Sequence, residues 1–300
     1  MADRIRVAAV QAEPAWLQLA VGIEQTIGLI EDAAAGGAQL VAFPETFLPG
    51  YPWWLWLNAV DWGSEFRGRY LANAMTRGGP ELRAIAHAAR RTGMWVALGF
   101  AERADTDLFM TQVLVSPAGR MEFARKVRPT ALERELFTAG TEPPVVYDTE
   151  LGRIGMLAGA DHLCPRRRVD LWWEQIHIAA WSGFTVYHED AGAGVTAVNS
   201  TVSADYARAS RAVVVAPTAL VPMTGWEVVD ARSPESRLLS GGGGVARILG
   251  PDGLDLVEPL PAGSAGVLVA EVELAPEPGP GDQTAELRSG PAERSRRSPL

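Results

Sequence analysis

The chain has 300 residues, 47% of them hydrophobic, and a formal net charge of −9 at pH 7. That length suits one large α/β domain or two small ones, and the acidic balance argues against nucleic acid or an anionic membrane as partner. A single cysteine excludes a disulfide framework within the chain and points to a reducing cytoplasm. The opening MADRIRVAAV holds no apolar run of signal-peptide length, and no later stretch approaches a membrane span.

Arg4 to Gln11 alternates apolar residues and reads as a strand. Ile23, Ile27, Ile30 and Ala34 then recur at helical spacing, with Gly36-Gly37 as a C-terminal stop. Gln39 to Phe43 is a second, fully apolar strand, and Pro44-Glu45-Thr46 places a carboxylate just past its end. Phe47 to Leu57, FLPGYPWWLWL, reads as an aromatic loop. It fits a core or oligomer contact as well as it fits a pocket wall beside Glu45. Pro80 to Arg91 is an amphipathic helix, and Met94 to Ala101 and Met110 to Val115 are strands around a turn at Asp105 to Asp107. Ser116-Pro117-Ala118-Gly119 matches a type I turn into the strand Arg120 to Lys126. This order describes a mixed sheet with helices packed on it.

Lys126 ends that strand, and Pro129-Thr130 opens a short helix carrying Glu133. Taken singly, each charged residue fits a solvated surface. Val145 to Tyr147 and Arg153 to Ala158 are the next strands. After them comes a sharp turn, Gly159, Ala160, Asp161, His162, and then a helix from about Pro165 that Leu171 to Ile176 continues. In α/β enzymes a turn of this kind exposes a nucleophile at a strand end. No Ser or Cys stands at this apex; the only cysteine, Cys164, comes later. Ile178 to Trp181 reads as a strand, Phe184 to Ser200 as a long loop, Ser203 to Arg211 as a helix, and Ala212 to Ala216 as a buried strand. Ser240 to Gly244 leads into the strand Val245 to Leu249; no Lys-Ser/Thr follows it, so it is not a phosphate loop. Gly266 to Leu274 is the last strand. Residues 1–275 thus form one domain, and 276–300 read as a disordered tail rich in Pro, Gly and charge. There is no metal-ligand spacing and no cofactor fingerprint.

FPETFLPGYPWW around Glu45, RKVRPTALERELF around Lys126 and Glu133, LGRIGML before the turn, and SGGGGVARILGPDG resemble the nitrilase superfamily of carbon–nitrogen hydrolases, in the right order over about residues 5 to 275. PGYPWW is closest to the nitrilase branch. The resemblance implies an α-β-β-α sandwich that stacks into a four-layer dimer. It also implies a catalytic set in which Glu45 matches the general base, Lys126 the cation that stabilises the tetrahedral intermediate, and Glu133 a second glutamate that orients the site. In the family a cysteine opens a Cys-Trp-Glu run after the strand; here that run is Gly159-Ala160-Asp161. The family's carboxylate in the helix near Ala207 to Arg211 is also missing, with Ala209 about where it belongs.

Glycine supplies no atom for the thioimidate and acyl-enzyme of nitrile hydrolysis. Three readings follow. In the first, an enzyme uses Glu45 and Lys126 for non-covalent acid–base chemistry on a C=N or C=O group, as in addition, cyclisation (a cyclase) or dehydration (a lyase). Asp161 or His162 then adds a second proton-transfer group, and the gap at Gly159 and Ala160 admits substrate. In the second, the chain is a catalytically dead scaffold or partner subunit. In the third, Cys164 has become the nucleophile, although a small buried apolar role suits it as well. The aromatic stretch with Tyr51, Trp53 and Trp54 suggests an aromatic or apolar small molecule as substrate, and the resemblance suggests a homo-oligomer, a dimer or larger.

Overall fold

A computed structural model describes residues 4–57, 60–163, 174–183, 188–220 and 244–274. In chain order the strands and helices are β1 (Arg4–Ala12), α1 (Leu19–Ala35), β2 (Leu40–Ala42), α2 (Val60–Ala72), α3 (Pro80–Thr92), β3 (Trp95–Ala104), β4 (Asp107–Val115) and β5 (Met121–Arg125). They continue with β6 (Val146–Thr149), β7 (Gly152–Ala158), β8 (Ile176–Ala180), α4 (His188–Ser210), β9 (Val213–Ala216), β10 (Thr218–Ala219), β11 (Arg247–Leu249) and β12 (Gly266–Glu273).

Two mixed sheets result. The first runs β10-β1-β2-β3-β4-β5, with β12 paired antiparallel to β1; the second runs β11-β9-β8-β7-β6. The parallel centres, β1-β2-β3 and β7-β8-β9, are connected through helical or long crossovers, whereas β3-β4-β5 is a run of hairpins. Side chains alternate across β1, so Ala8 and Val10 face one way and Val7 and Ala9 the other. The first face packs on α1 and α3 through Ile30, Ala33, Leu82, Ile85 and Ala89. The second meets the other sheet, where Leu40, Trp95 and Leu114 oppose Ile154, Ile176, Ile178 and Val213. The far side of that sheet is covered by α4, with Ala204, Tyr206 and Ala207 on Ala179, Val214 and Ala216. The described residues therefore form helix, sheet, sheet and helix layers.

Capping explains where α3 stands. Pro80 occupies its first turn, and the chain leaves through Gly93 in the left-handed region at φ 69°. The Ser116–Gly119 turn forms as its sequence suggests, with Gly119 N–H donating to Ser116 O at 2.7 Å.

Two expectations need correction. Ile176 does not continue a helix but opens β8, its partner register running Ile154 to Ile176; the helix expected from Pro165 lies outside the described residues. The stretch expected as a loop to Ser200 is helical from His188, because α4 gains its stability from packing on the sheet, which overrides the helix-weakening Gly192 and Gly194. The helix α2 was not foreseen. Its sequence holds Gly63 and Gly68, and its burial rests on Phe66 and Tyr70, one turn apart on the aromatic cluster. Among the described residues no helix is long and apolar enough to cross a membrane. Ser240 to Gly243 and the tail at 276–300 lie outside the described residues.

Candidate active site

The end of β2 carries Glu45 into the gap between the sheets. The backbone turns abruptly there, with Thr46 at φ 49°. β3 passes so close that a Cβ at Gly99 would lie 2.3 Å from Pro44 O and 2.6 Å from Thr46 N. Only glycine allows that approach. Glu45 N–H donates to Trp181 O at 3.4 Å, joining this turn to the end of β8.

Lys126 arrives from the end of β5, held in register by its N–H bond to Met110 O at 2.8 Å. Its ammonium donates to Glu45 Oε1 at 2.7 Å and to Glu133 Oε1 at 3.0 Å. Glu133 is fixed by local chemistry. Thr130 N–H donates to Glu133 Oε2 at 2.7 Å, and Glu133 N–H donates back to Thr130 Oγ1 at 3.3 Å, a reciprocal capping pair. Tyr51 O–H donates to Glu133 Oε1 at 2.8 Å. Tyr51 is itself wedged among buried aromatics. Trp53 and Trp54, in a 3-10 turn at Trp53–Leu57, pack on Trp16 and Tyr70 with ring centroids 5.1 Å apart in each pair.

Gly159 stands opposite. β7 ends at Ala158, and a 3-10 turn, Gly159–Asp161, begins with Gly159 at φ +46°. A Cβ there would lie 2.7 Å from Glu45 Oε2 and 3.0 Å from Lys126 Nζ. The Glu45 carboxyl group and the Lys126 ammonium thus converge on a position that offers no side-chain atom. Asp161 Oδ2 accepts Val127 N–H at 2.7 Å and so ties the turn to the residue after Lys126.

Burial and charge set the ionisation of this group. Glu45 is pushed up from 4.5 to about 7, first by desolvation and then by the charges of Glu133 and Asp161, against the pull of Lys126. For Lys126, desolvation works against the charged form, but the two glutamates outweigh it and its pKa is raised. Burial also opposes ionisation of Glu133. Lys126, Thr130 N–H and Tyr51 O–H overcome it, and its pKa is lowered. Beneath them Tyr70, fully buried with its O–H on Gly50 O at 3.0 Å, is held protonated by burial and by the negative charges of Glu45 and Glu133.

A cleft of about 570 Å³, counting its open mouth, leads to this group. Glu45, Lys126 and Asp161 line it, and Phe123, Pro143, Tyr147 and Met156 are among its apolar walls. Tyr147 O–H donates to Phe123 O at 3.3 Å and ties the second sheet to the first at this edge. Glu102 stiffens the rim. It is 1% exposed and ion-paired to Arg125 at 2.6 Å and Arg77 at 2.8 Å.

A carbon–nitrogen hydrolase model matches residues 6–276. The chain belongs to the carbon–nitrogen hydrolase family. It is 38% identical over 279 residues to a nitrilase of Pseudomonas syringae pv. syringae, covering 92% of this chain and 83% of that protein. It is 37% identical over 274 residues to an arylacetone-specific nitrilase of Alcaligenes faecalis, covering 90% and 77%. Its fold is similar to that of the amidase from Nesterenkonia sp. AN1, solved as a double mutant in complex with acrylamide. The TM-score is 0.70 at 18% identity, covering 98% of this chain and 97% of that one.

Within this carbon–nitrogen hydrolase chain, the fold gathers Glu45, Lys126, Glu133, Asp161 and Gly159 into one group, with Tyr51 hydrogen-bonded to it. Trp53 and Trp54 back Tyr51 in the aromatic core and are not among the residues lining the cleft. Of Ala160 only the backbone is described, in the turn. Cys164 lies outside the described residues. The His162 ring packs into a second buried cluster with His177, Trp181 and Tyr206. Sequence reasoning did not single out that cluster. Its signal was Glu174 and His177 flanking the start of an otherwise apolar strand, a pairing hidden by reading the stretch as helix. The cleft walls, Phe123, Pro143 and Tyr147, were missed as well, because they come from an edge strand and a proline run that meet only in the tertiary fold. Among the described residues no group of His, Cys, Asp and Glu could hold a metal ion.

Proposed function

We propose that this carbon–nitrogen hydrolase family member is an enzyme that adds a nucleophile to a C=N or C=O group without a covalent enzyme intermediate. The single observation that carries the reading is Glu45, with a pKa near 7, hydrogen-bonded to Lys126 and facing a glycine. The position in which the family's cysteine is expected offers no thiol, so a thioimidate cannot form there. A carboxyl group that titrates near neutral pH is suited to both halves of a proton transfer.

In the proposed step, a lone pair of water, or of an amine on the substrate itself, attacks the electrophilic carbon. The Glu45 carboxylate takes the proton that the nucleophile sheds. The π electrons pass to the nitrogen or oxygen, whose growing negative charge faces the Lys126 ammonium. Glu45 then returns the same proton to that atom, and the enzyme ends as it began. With an internal amine the product is a ring; in reverse the step is an elimination such as dehydration. Glu133 and its Tyr51 and Thr130 donors hold Lys126 in place. The apolar cleft walls suit an aromatic or apolar substrate body, in keeping with the arylacetone-specific and aliphatic nitrilases among the relatives. We propose a homodimer or larger assembly, which light scattering measures directly.

The test is incubation of the full chain with aryl and alkyl nitriles, amides and imines, with products identified by mass, ammonia measured, and intact-protein mass recorded. The expected result is product with no adduct on the protein, abolished by Glu45→Gln and retained by Cys164→Ala. A mass shift mapped to Cys164 would replace the reading with a relocated nucleophile. Turnover that survives Glu45→Gln would overturn it outright, and failure across the whole panel would favour a scaffold.

A further inference from the structure

Behind the active turn, on the side of the second sheet covered by α4, lies a set of buried polar groups that the proposed reaction does not use. Glu174 precedes β8 and is 5% exposed; His177, on β8, is fully buried. His177 Nδ1 lies 3.0 Å from Glu174 Oε2. Tyr206, on α4, donates its O–H to Glu174 Oε1. The His162 ring stacks on the His177 ring with centroids 4.8 Å apart and planes 27° apart. Tyr206 lies 4.0 Å from His177 and 5.2 Å from His162, and Trp181 lies 5.1 Å from His162. Trp181 is itself pinned by its Nε1–H bond to Ser203 Oγ at 3.1 Å.

This cluster touches the active group at two points. His162 N–H donates to Gly159 O at 3.0 Å, which closes the turn whose Asp161 is anchored on Val127 N–H. The carbonyl of Trp181 accepts the N–H of Glu45. A flat imidazole stacked on another flat ring can slide unless something fixes one of the two in its plane. Here the hydrogen bond between Glu174 and Nδ1 fixes His177, and Tyr206 O–H fixes the carboxyl group from the other side.

We propose that Glu174, His177 and Tyr206 form a positioning unit that fixes the His162 ring, and through it the turn presenting Gly159 and Asp161 to Glu45 and Lys126. The chain of contacts runs from α4 through the second sheet to the turn. A ring of similar shape at position 177 without a nitrogen toward Glu174 would fill the space but lose the orientation. The unit acts through other groups and does not touch substrate. It rests on the reading that Glu45 is the working acid–base group, yet its test needs no substrate.

The readout is the ionisation of Glu45, followed by carboxyl ¹³C NMR in the full chain and assigned by the signal lost in Glu45→Gln. The carboxyl groups of Glu133 and Asp161 and the ammonium of Lys126 are the charged groups that face Glu45. A turn that swings away takes Asp161 with it and admits water, and both changes lower the Glu45 pKa. His177→Phe and Tyr206→Phe are each expected to shift it down by about one unit or more, while His177→Asn, which keeps a hydrogen-bonding group toward Glu174, retains most of the wild-type value. Hydrogen exchange at the His162 amide should rise in parallel in the two Phe variants. Tyr206→Phe removes only a hydroxyl, so it keeps the test decisive if His177→Phe does not fold. An unchanged Glu45 titration in a folded Tyr206→Phe or His177→Phe protein overturns the proposal. That outcome leaves the proposed reaction standing, and a failed substrate panel leaves this positioning role standing.

Discussion

Glu45 and Glu174 are both almost wholly buried, at 3% and 5% exposure, and burial raises the pKa of each. Their partners differ. Glu45 shares one ammonium with Glu133, has Asp161 near, and opens on a cleft. Glu174 sits between Tyr206 and His177, walled by aromatic rings, and has no Lys or Arg ion pair among the described residues. In the first cluster the lysine offsets part of the desolvation and leaves the carboxyl poised near 7. In the second little offsets it beyond the Tyr206 hydrogen bond, so the carboxyl is driven well above its ordinary value. The lesson is that burial supplies the upward push in both places, and the presence of a cation decides how far that push carries the carboxyl group above its ordinary range.

The strongest way to break that contrast is to remove the cation. Lys126→Met leaves Glu45 and Glu133 facing each other without charge compensation. The loss of a partner from a buried ion pair costs about 3–5 kcal/mol, so chemical denaturation should show a large fall in stability at pH 8 and a smaller one at pH 5, where Glu45 is protonated.

Glu45→Gln tests the titrating group itself. Turnover of any substrate found should fall by roughly 10²–10⁴-fold. Stability gives a second reading. The folded chain keeps the Glu45 proton up to about pH 7, while the unfolded chain sheds it near 4.5. The native state therefore binds more protons in that window, and its stability declines as pH rises from 4.5 to 7. Glu45→Gln removes that slope, which denaturation midpoints across pH will show.

Tyr51→Phe sharpens the comparison from the side of the second glutamate. It deletes the O–H donor to Glu133 at 2.8 Å and leaves the aromatic cluster filled. Hydrogen bonds to charged groups contribute about 1.5–3 kcal/mol, so a loss of that size is expected in urea unfolding.

Glu174→Gln should have the smallest effect. The amide oxygen still accepts from Tyr206, and no Lys or Arg partner is abandoned, so the stability change at pH 7 is expected within about 1 kcal/mol. If this variant proves as costly as Lys126→Met, the two carboxyl groups are handled alike and the contrast between them fails.

Much of the fold was legible before any coordinates. β1, α1, α3, β9 and the Ser116 hairpin follow from local alternation, helical spacing and turn chemistry, which act within a few residues. α4 was not legible in its first turns, because its glycines weaken the local signal and its stability comes from packing on the sheet. β8 was missed at Ile176 for a related reason: a short apolar run with parallel neighbours carries no period that separates strand from helix. In the site, Glu45, Lys126 and Glu133 were named from their motifs, and Thr130-x-x-Glu133 is a local capping pair that sequence spacing alone supports.

What the sequence by itself determined is therefore the set of chemical groups and the empty position among them, since Gly159 has no side chain in any fold. Only the tertiary structure decided what those groups become. Glu45, Lys126 and Gly159 lie tens of residues apart in the chain. Their convergence needs the close pass of β3 at Gly99 and the meeting of two sheets. The shift of Glu45 toward 7 arises from the burial and neighbouring charges that this meeting creates. His162 shows the same division. The sequence placed it in the turn, and the fold packed its ring on His177, Trp181 and Tyr206.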